Sequence, residues 1–133
     1  MNVTFRNEFE RHIAAQIARA FGRYCYECHT IRYGLGKTYH PDFVLPNGII
    51  IEAKGAFLPA ARRKHLALKK EHPDLDIRFV FQDAKGKLGT AANKRLKGTN
   101  ASWCRKYGFQ YAEGKIPKAW LREPSTPTRQ VPA

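Results

Sequence analysis

Tyr39-His40-Pro41-Asp42-Phe43-Val44-Leu45-Pro46-Asn47-Gly48-Ile49-Ile50-Ile51-Glu52-Ala53-Lys54-Gly55 is the stretch that decides the fold. Tyr39 to Val44 and Ile49 to Lys54 read as two strands around Pro46-Asn47-Gly48, a strong hairpin signal. Side chains alternate along a strand, so Glu52 and Lys54 share a face and Ala53 takes the other. A two-residue Asn47-Gly48 turn would set Asp42 against Ala53, on the wrong face. A three-residue Pro46-Asn47-Gly48 loop with Gly48 left-handed sets Asp42 directly across from Glu52. The same register gathers Phe43, Leu45, Ile49, Ile51 and Ala53 on the opposite, core-facing side. The three-residue loop is therefore the expected one.

Two carboxylates and an ammonium on one face can hold a hard cation such as Mg²⁺ beside a phosphate, because such ions take acidic oxygen ligands. A nearby lysine can stabilise developing charge or orient a water. The plainer alternative is an ordinary hairpin with solvated Asp, Glu and Lys on its outer face, and bare spacing alone favours it. Two features weigh against it. Pro41 directly precedes Asp42, and Val44 and Ile50 make the acidic face partly apolar. Acids buried beside aliphatic side chains are costly unless a cation compensates.

Composition narrows the partner. The chain has 133 residues, 43% hydrophobic, with a net charge of +13 and a pI near 10.0. That suits one globular domain with one modest core. Nucleic acid is the commonest partner for such a charge; an anionic membrane is second, and no basic amphipathic helix with a strongly apolar opposite face supports it. No apolar run approaches the ~20 residues of a membrane span. Met1-Asn2-Val3-Thr4-Phe5-Arg6 lacks the apolar core of a signal peptide, so a soluble cytoplasmic protein is expected.

Around the hairpin the chain alternates helix and strand. Asn7 is placed to cap a helix carrying Phe9, Ile13, Ile17, Ala20 and Phe21 on one stripe, ended by Gly22. Glu10 lies inside that stripe; it is either the capping-box partner of Asn7 or a third acid for the site. Arg23 to Ile31 reads as a strand, and Gly34-Leu35-Gly36-Lys37 as a flexible connector. Pro59 to Glu71 reads as a basic helix with Arg62, Arg63, Lys64, Lys69 and Lys70 as candidate phosphate contacts, and with His65 able to approach the site. Ile77 to Phe81 is a short apolar strand. Asp83 to Thr99 is expected to be a long mobile loop offering Lys85, Lys87, Lys94, Arg95 and Lys97 to DNA. A short helix from Asn100 to Tyr107, a strand near Phe109 to Ala112, and a final turn pinned by Trp120 and Leu121 follow. Trp103 and Trp120 are expected as core anchors rather than stacking platforms. The expected organisation is one α/β domain over residues 1–124 with a mixed sheet, then a loose tail from 125 to 133.

Cys25, Cys28 and Cys104 are an odd count that argues against a disulfide framework. Cys25-Tyr26-Glu27-Cys28-His29 matches a haem-attachment pattern, but no export signal accompanies it. A zinc site of Cys25, Cys28, His29 and Cys104 would need the first two on one face, which a strand forbids. Packed or partly exposed thiols are the expected state.

Several segments together resemble the phage endonuclease I family of Holliday-junction resolvases. They are the hairpin through Gly55, Arg62-Arg63-Lys64-His65-Leu66, Glu71-His72-Pro73-Asp74-Leu75-Asp76-Ile77-Arg78-Phe79-Val80-Phe81 and Ile116-Pro117-Lys118-Ala119-Trp120-Leu121. The likeness runs from about Phe5 to Pro124 and is strongest from Tyr39 to Phe81. It implies a PD-(D/E)XK nuclease fold, an intertwined homodimer, and Mg²⁺-dependent cleavage of four-way and other branched DNA, with Mn²⁺ able to substitute and two ions per site. It implies Glu10, Asp42, Glu52 and Lys54 as the active site, with the three acids as metal ligands; Glu8 is the nearby competitor of Glu10. The connector from His29 to Tyr39 is shorter than is usual in the family, and the Asp83 to Thr99 loop longer and more basic. The rival reading is an architectural protein that grips branched DNA without cutting it. A superfamily nuclease of another kind fits the covered length and Leu45-Pro46-Asn47-Gly48 less well, and RNA binding lacks an aromatic stacking motif.

Overall fold

Asn7 starts the first helix as its position requires, its side chain accepting the Glu10 amide at 2.9 Å. The computed structural model describes residues 3–88, 97–129 and 131. The elements in chain order are α1 (Glu8–Phe21), β1 (Ile31–Tyr33), β2 (Lys37–Tyr39), β3 (Phe43–Val44) and β4 (Ile50–Lys54). There follow α2 (Pro59–Glu71), β5 (Ile77–Phe81), α3 (Asn100–Tyr107), β6 (Tyr111–Glu113) and α4 (Lys118–Arg122). The central sheet runs β3-β4-β5-β6; β3 is antiparallel to β4, and β4, β5 and β6 are parallel. The mixed α/β sheet flanked by helices is the expected class.

The hairpin takes the three-residue loop. Phe43 pairs with Ile51 and Val44 with Ile50, Leu45 N–H donates to Ile49 O at 2.8 Å, and Gly48 is left-handed at φ 90°. One register further, Asp42 faces Glu52. Phe43, Leu45, Ile49, Ile51 and Ala53 pack beneath α1 with Ile13, Ile17, Val80 and Trp120. The other face is also covered: Ile50, Phe79 and Phe81 join Phe57, Leu68 and Trp103 under α2 and α3. A parallel sheet buried on both sides calls for apolar side chains on both faces, which β5 supplies at Ile77, Phe79, Val80 and Phe81 around a buried Arg78. Trp103 and Trp120 are buried anchors, as expected.

Three expectations fail locally. The strand over Arg23 to Ile31 does not form; only Ile31–Tyr33 is extended, and Tyr26 makes a lone bridge to Phe43. A Cys25–Cys28 disulfide ties that stretch into a turn with Glu27 left-handed at φ 55°, so the chain cannot run straight through it. The same bond corrects the expectation of free thiols at Cys25 and Cys28; Cys104 is free and buried. The strand over Tyr39 to Val44 splits, with Tyr39 pairing Ile31 in a separate two-stranded sheet while Phe43 pairs Ile51. Pro41 lies at the split, where it has no amide to donate to a ladder.

The Asp83 to Thr99 segment is tied at its neck by a Lys87–Thr99 bridge and by Leu88 N–H donating to Gly98 O at 3.3 Å. Lys94 and Arg95 lie outside the described residues. The chain after Pro124, expected to be loose, is held at Arg129, which donates to Asp76 at 2.9 Å and to Glu123 at 2.7 Å. Among the described residues, no helix is long and apolar enough to cross a membrane.

Candidate active site

Four elements bring the site together. β4 supplies Glu52 and Lys54, the segment entering β3 supplies Asp42, α1 supplies Glu10, and α2 supplies His65. Asp42, Glu52 and Glu10 are all buried, at 2%, 3% and 1% exposure. That burial rules out the solvated outer face. The hairpin bonds explain how acids sit there: Glu52 Oε2 accepts the Asp42 amide at 2.9 Å and the Tyr39 hydroxyl at 2.8 Å, and Asp42 Oδ2 accepts the Ala53 amide at 3.0 Å. Each carboxylate thus has one oxygen fixed by the fold and one turned to the site.

Around the second oxygens stand cations and dipoles. Glu52 Oε1 lies 3.7 Å from Lys54 Nζ and 3.6 Å from His65 Nε2. The latter is too long for a hydrogen bond, and both His65 nitrogens are buried without a partner. Burial holds the His65 pKa below its usual value, so the imidazole is neutral at pH 7. Asp42 Oδ1 lies 3.3 Å from Arg6 Nη1, which also donates to Glu10 Oε2 at 2.9 Å. Glu10 further accepts the Arg6 amide at 2.7 Å and the Tyr26 hydroxyl at 3.0 and 3.1 Å.

Glu10 therefore does not complete a capping box on Asn7; its carboxylate turns to Arg6, Tyr26 and the edge of Asp42. Glu8 points away, with a side chain 88% exposed and paired to Arg11. The electrostatics split the central pair. Burial and the Glu52 charge push Asp42 up to about 8, with Lys54 and the Ala53 amide opposing. Burial alone would raise Glu52 as well, but the Lys54 ammonium and the Asp42 amide hold it below the usual carboxylate range. Two acids this close and this dry do not both ionise readily without a further positive charge.

The donor set fits a hard divalent cation: carboxylate oxygens, a deficit of positive charge, and a lysine at the rim. Among the described residues, no three Asp, Glu, His or Cys side chains converge closely enough to hold one ion by themselves. Mg²⁺ commonly uses one or two carboxylates and keeps its waters, so Asp42 and Glu52 meet the smaller requirement. Glu10 stands behind the Arg6 guanidinium.

Of the candidate phosphate contacts, Arg63, Lys69, Lys85, Lys87 and Lys97 are exposed and Lys64 is half-buried. Arg62 turns inward, is 7% exposed, and donates to the Phe57 carbonyl. Lys69 donates to the Gly108 carbonyl at 3.1 Å. Sequence reasoning missed Arg6, Tyr26 and Tyr39. Arg6 and Tyr26 lie outside any helix or strand, where no periodicity marks them. Tyr39 lies across the Pro41 break, which flips the alternation and turns an odd-numbered side chain toward an even-numbered acid.

Residues 1–132 match the family model described as phage endonuclease I. The chain is 36% identical over 134 aligned positions to endonuclease I of Escherichia phage T7, covering 96% of this chain and 83% of that protein. It is 37% identical over 134 positions to endodeoxyribonuclease 1 of Enterobacteria phage T3, covering 96% and 82%.

Proposed function

Since the chain belongs to the phage endonuclease I family, we propose that it is an endodeoxyribonuclease that hydrolyses phosphodiesters in branched DNA, four-way junctions above all, as a symmetric homodimer of PD-(D/E)XK fold. The observation that carries the reading is the buried Asp42–Glu52 pair on one hairpin register with Lys54 3.7 Å from Glu52. A protein that only grips DNA has no need to bury two facing acids inside a surface of net charge +13.

Asp42 and Glu52 would hold Mg²⁺ or Mn²⁺, with Glu10 at the edge where a second ion belongs. The cation supplies Lewis-acid polarisation of a phosphoryl oxygen and eases deprotonation of a water. This chain's residues do the rest. The Tyr39 hydroxyl and the Asp42 amide fix the Glu52 carboxylate so that Oε1 faces the site. The Lys54 side chain is only 19% exposed, and its ammonium would donate to the scissile phosphate or orient the attacking water. In-line attack breaks the bond to the 3′ oxygen and leaves 5′-phosphate and 3′-hydroxyl ends. Arg63, Lys64, Lys85, Lys87 and Lys97 provide sequence-independent backbone contacts, so selectivity for branches comes from shape and from two sites held at fixed separation.

The test is cleavage of a labelled four-way junction against matched linear duplex, with Mg²⁺ or with EDTA, beside Glu52→Ala. Paired cuts near the branch that need Mg²⁺ and vanish in Glu52→Ala are the expected result. Tight junction binding without cutting under any divalent metal would leave the architectural reading in place.

A further inference from the structure

We infer that Arg6 is a built-in competitor of the divalent cation: its guanidinium occupies the Glu10–Asp42 edge and restrains cation loading until it is drawn away. The inference rests on the metal-site reading above and adds a residue to it. Arg6 Nη1 stands 2.9 Å from Glu10 Oε2 and 3.3 Å from Asp42 Oδ1, bridging two carboxylates that come from different elements. Both acids are buried, at 1% and 2% exposure, whereas the Arg6 side chain is 58% exposed. A surface cation thus reaches inward to neutralise interior acids.

The oxygens left for a metal make the conflict specific. Glu52 Oε2 is taken by Tyr39 and the Asp42 amide, and Asp42 Oδ2 by the Ala53 amide. Glu10 Oε1 is taken by the Arg6 amide and by Tyr26. A cation that binds Asp42 through Oδ1, or recruits Glu10 through Oε2, must do so at the two atoms the guanidinium touches. Two positive groups cannot share those oxygens in a site this poor in water without strong repulsion.

Arg6 is also placed to leave. It precedes Asn7, the cap of α1, and so lies in no helix or strand. Its other nitrogen, Nη2, pairs with Glu27 on the exposed side, which keeps the guanidinium near the site when the inner contacts break. A DNA phosphate is the natural alternative partner, because guanidinium matches phosphate oxygens with two parallel bonds. DNA arrival and metal loading are then linked: the phosphate that draws Arg6 outward uncovers the carboxylates.

The experiment is Mn²⁺ titration of the DNA-free protein, read by electron paramagnetic resonance of unbound Mn²⁺. The variants are wild type, Arg6→Ala, Arg6→Gln, Arg6→Lys and Glu52→Ala, with circular dichroism checking the fold. Arg6→Ala and Arg6→Gln are expected to bind Mn²⁺ about fivefold or more tightly than wild type, at the lower end of typical coupling between sites, while Arg6→Lys stays near wild type. The tighter binding must disappear when Glu52→Ala is added. Equal or weaker affinity in both neutral variants, with binding still lost in Glu52→Ala, would overturn the role of Arg6 and leave the metal site standing. Binding that ignores Glu52→Ala in every background would remove the metal site, and the inference with it.

Discussion

Tyr39 holds Glu52 from the side away from the reaction, through a hydroxyl 2.8 Å from Oε2. It is fully buried, so no water replaces that bond when it is removed. Tyr39→Phe keeps the ring, its edge contact with His65 and the core around it. With Glu52 as the proposed metal ligand, the expected outcome is a folded protein whose proposed Mg²⁺-dependent cleavage falls roughly 10- to 100-fold, the usual effect of losing a partner that orients a metal ligand. Cleavage rates across a Mg²⁺ series check it, and a rate restored by high Mg²⁺ would localise the defect to the metal. At this scale the site was legible only where an element imposed a period. Asp42, Glu52 and Lys54 follow from alternation and loop length. Glu10 was undecided between cap and site from the stripe alone, because the same side-chain position serves both. Tyr39, Tyr26 and Arg6 have their roles through contacts across a break, a disulfide turn and the segment before the cap of α1, none of which leaves a pattern in the chain.

The hairpin loop carries a prediction at the scale of elements. Gly48 sits at φ 90°, and a Cβ built there would meet Arg129 Cβ at 2.8 Å and Arg129 O at 2.9 Å. Gly48→Ala therefore strains the turn and displaces the tail docked on it, at an expected cost of about 1–3 kcal/mol in urea unfolding. That tail is clasped electrostatically. Arg78 binds Asp76 and Glu123, and Arg129 binds the same two acids. Burial would raise Asp76, but Arg78 and Arg129 hold it below its ordinary range; bonding to Arg78 does the same for Glu123. Folded-state values below the unfolded ones mean that the clasp stabilises above pH ~4 and is lost as pH falls through the folded values. Melting temperatures from pH 6 to 3 should therefore drop more steeply for wild type than for Glu123→Gln, and parallel curves would show the clasp to be idle. Helices and strands with unbroken periods, such as α2, β5 and α3, were readable to the residue. The Arg23 to Thr30 turn was not, because a bond between side chains three apart overrides the extended preference of its Tyr, Cys and Thr residues.

At the scale of the whole molecule the proposed homodimer raises the question of which copy supplies each acid. In this single chain α1 packs on its own sheet, and Glu10 reaches its own Asp42 through Arg6. The link from α1 to β1, residues 22–30, contains no regular element, so α1 could make the same contacts on a partner. Exchanged elements keep their contacts and change only the chain that supplies them. An intertwined form of the proposed homodimer, as the family resemblance implies, therefore predicts complementation. Co-expressed, differently tagged Glu10→Gln and Glu52→Gln chains are each inactive alone. In a mixed dimer with exchanged helices, one site combines the intact Asp42, Glu52 and Lys54 of the first chain with the intact Glu10 of the second, and the other site lacks both. The expected product on a four-way junction is a single-strand nick in place of paired cuts. If α1 stays on its own chain, each site in the mixed dimer lacks one acid and no nick appears. The absence of nicking would assign Glu10 to its own chain and leave α1 packed on the sheet of that chain.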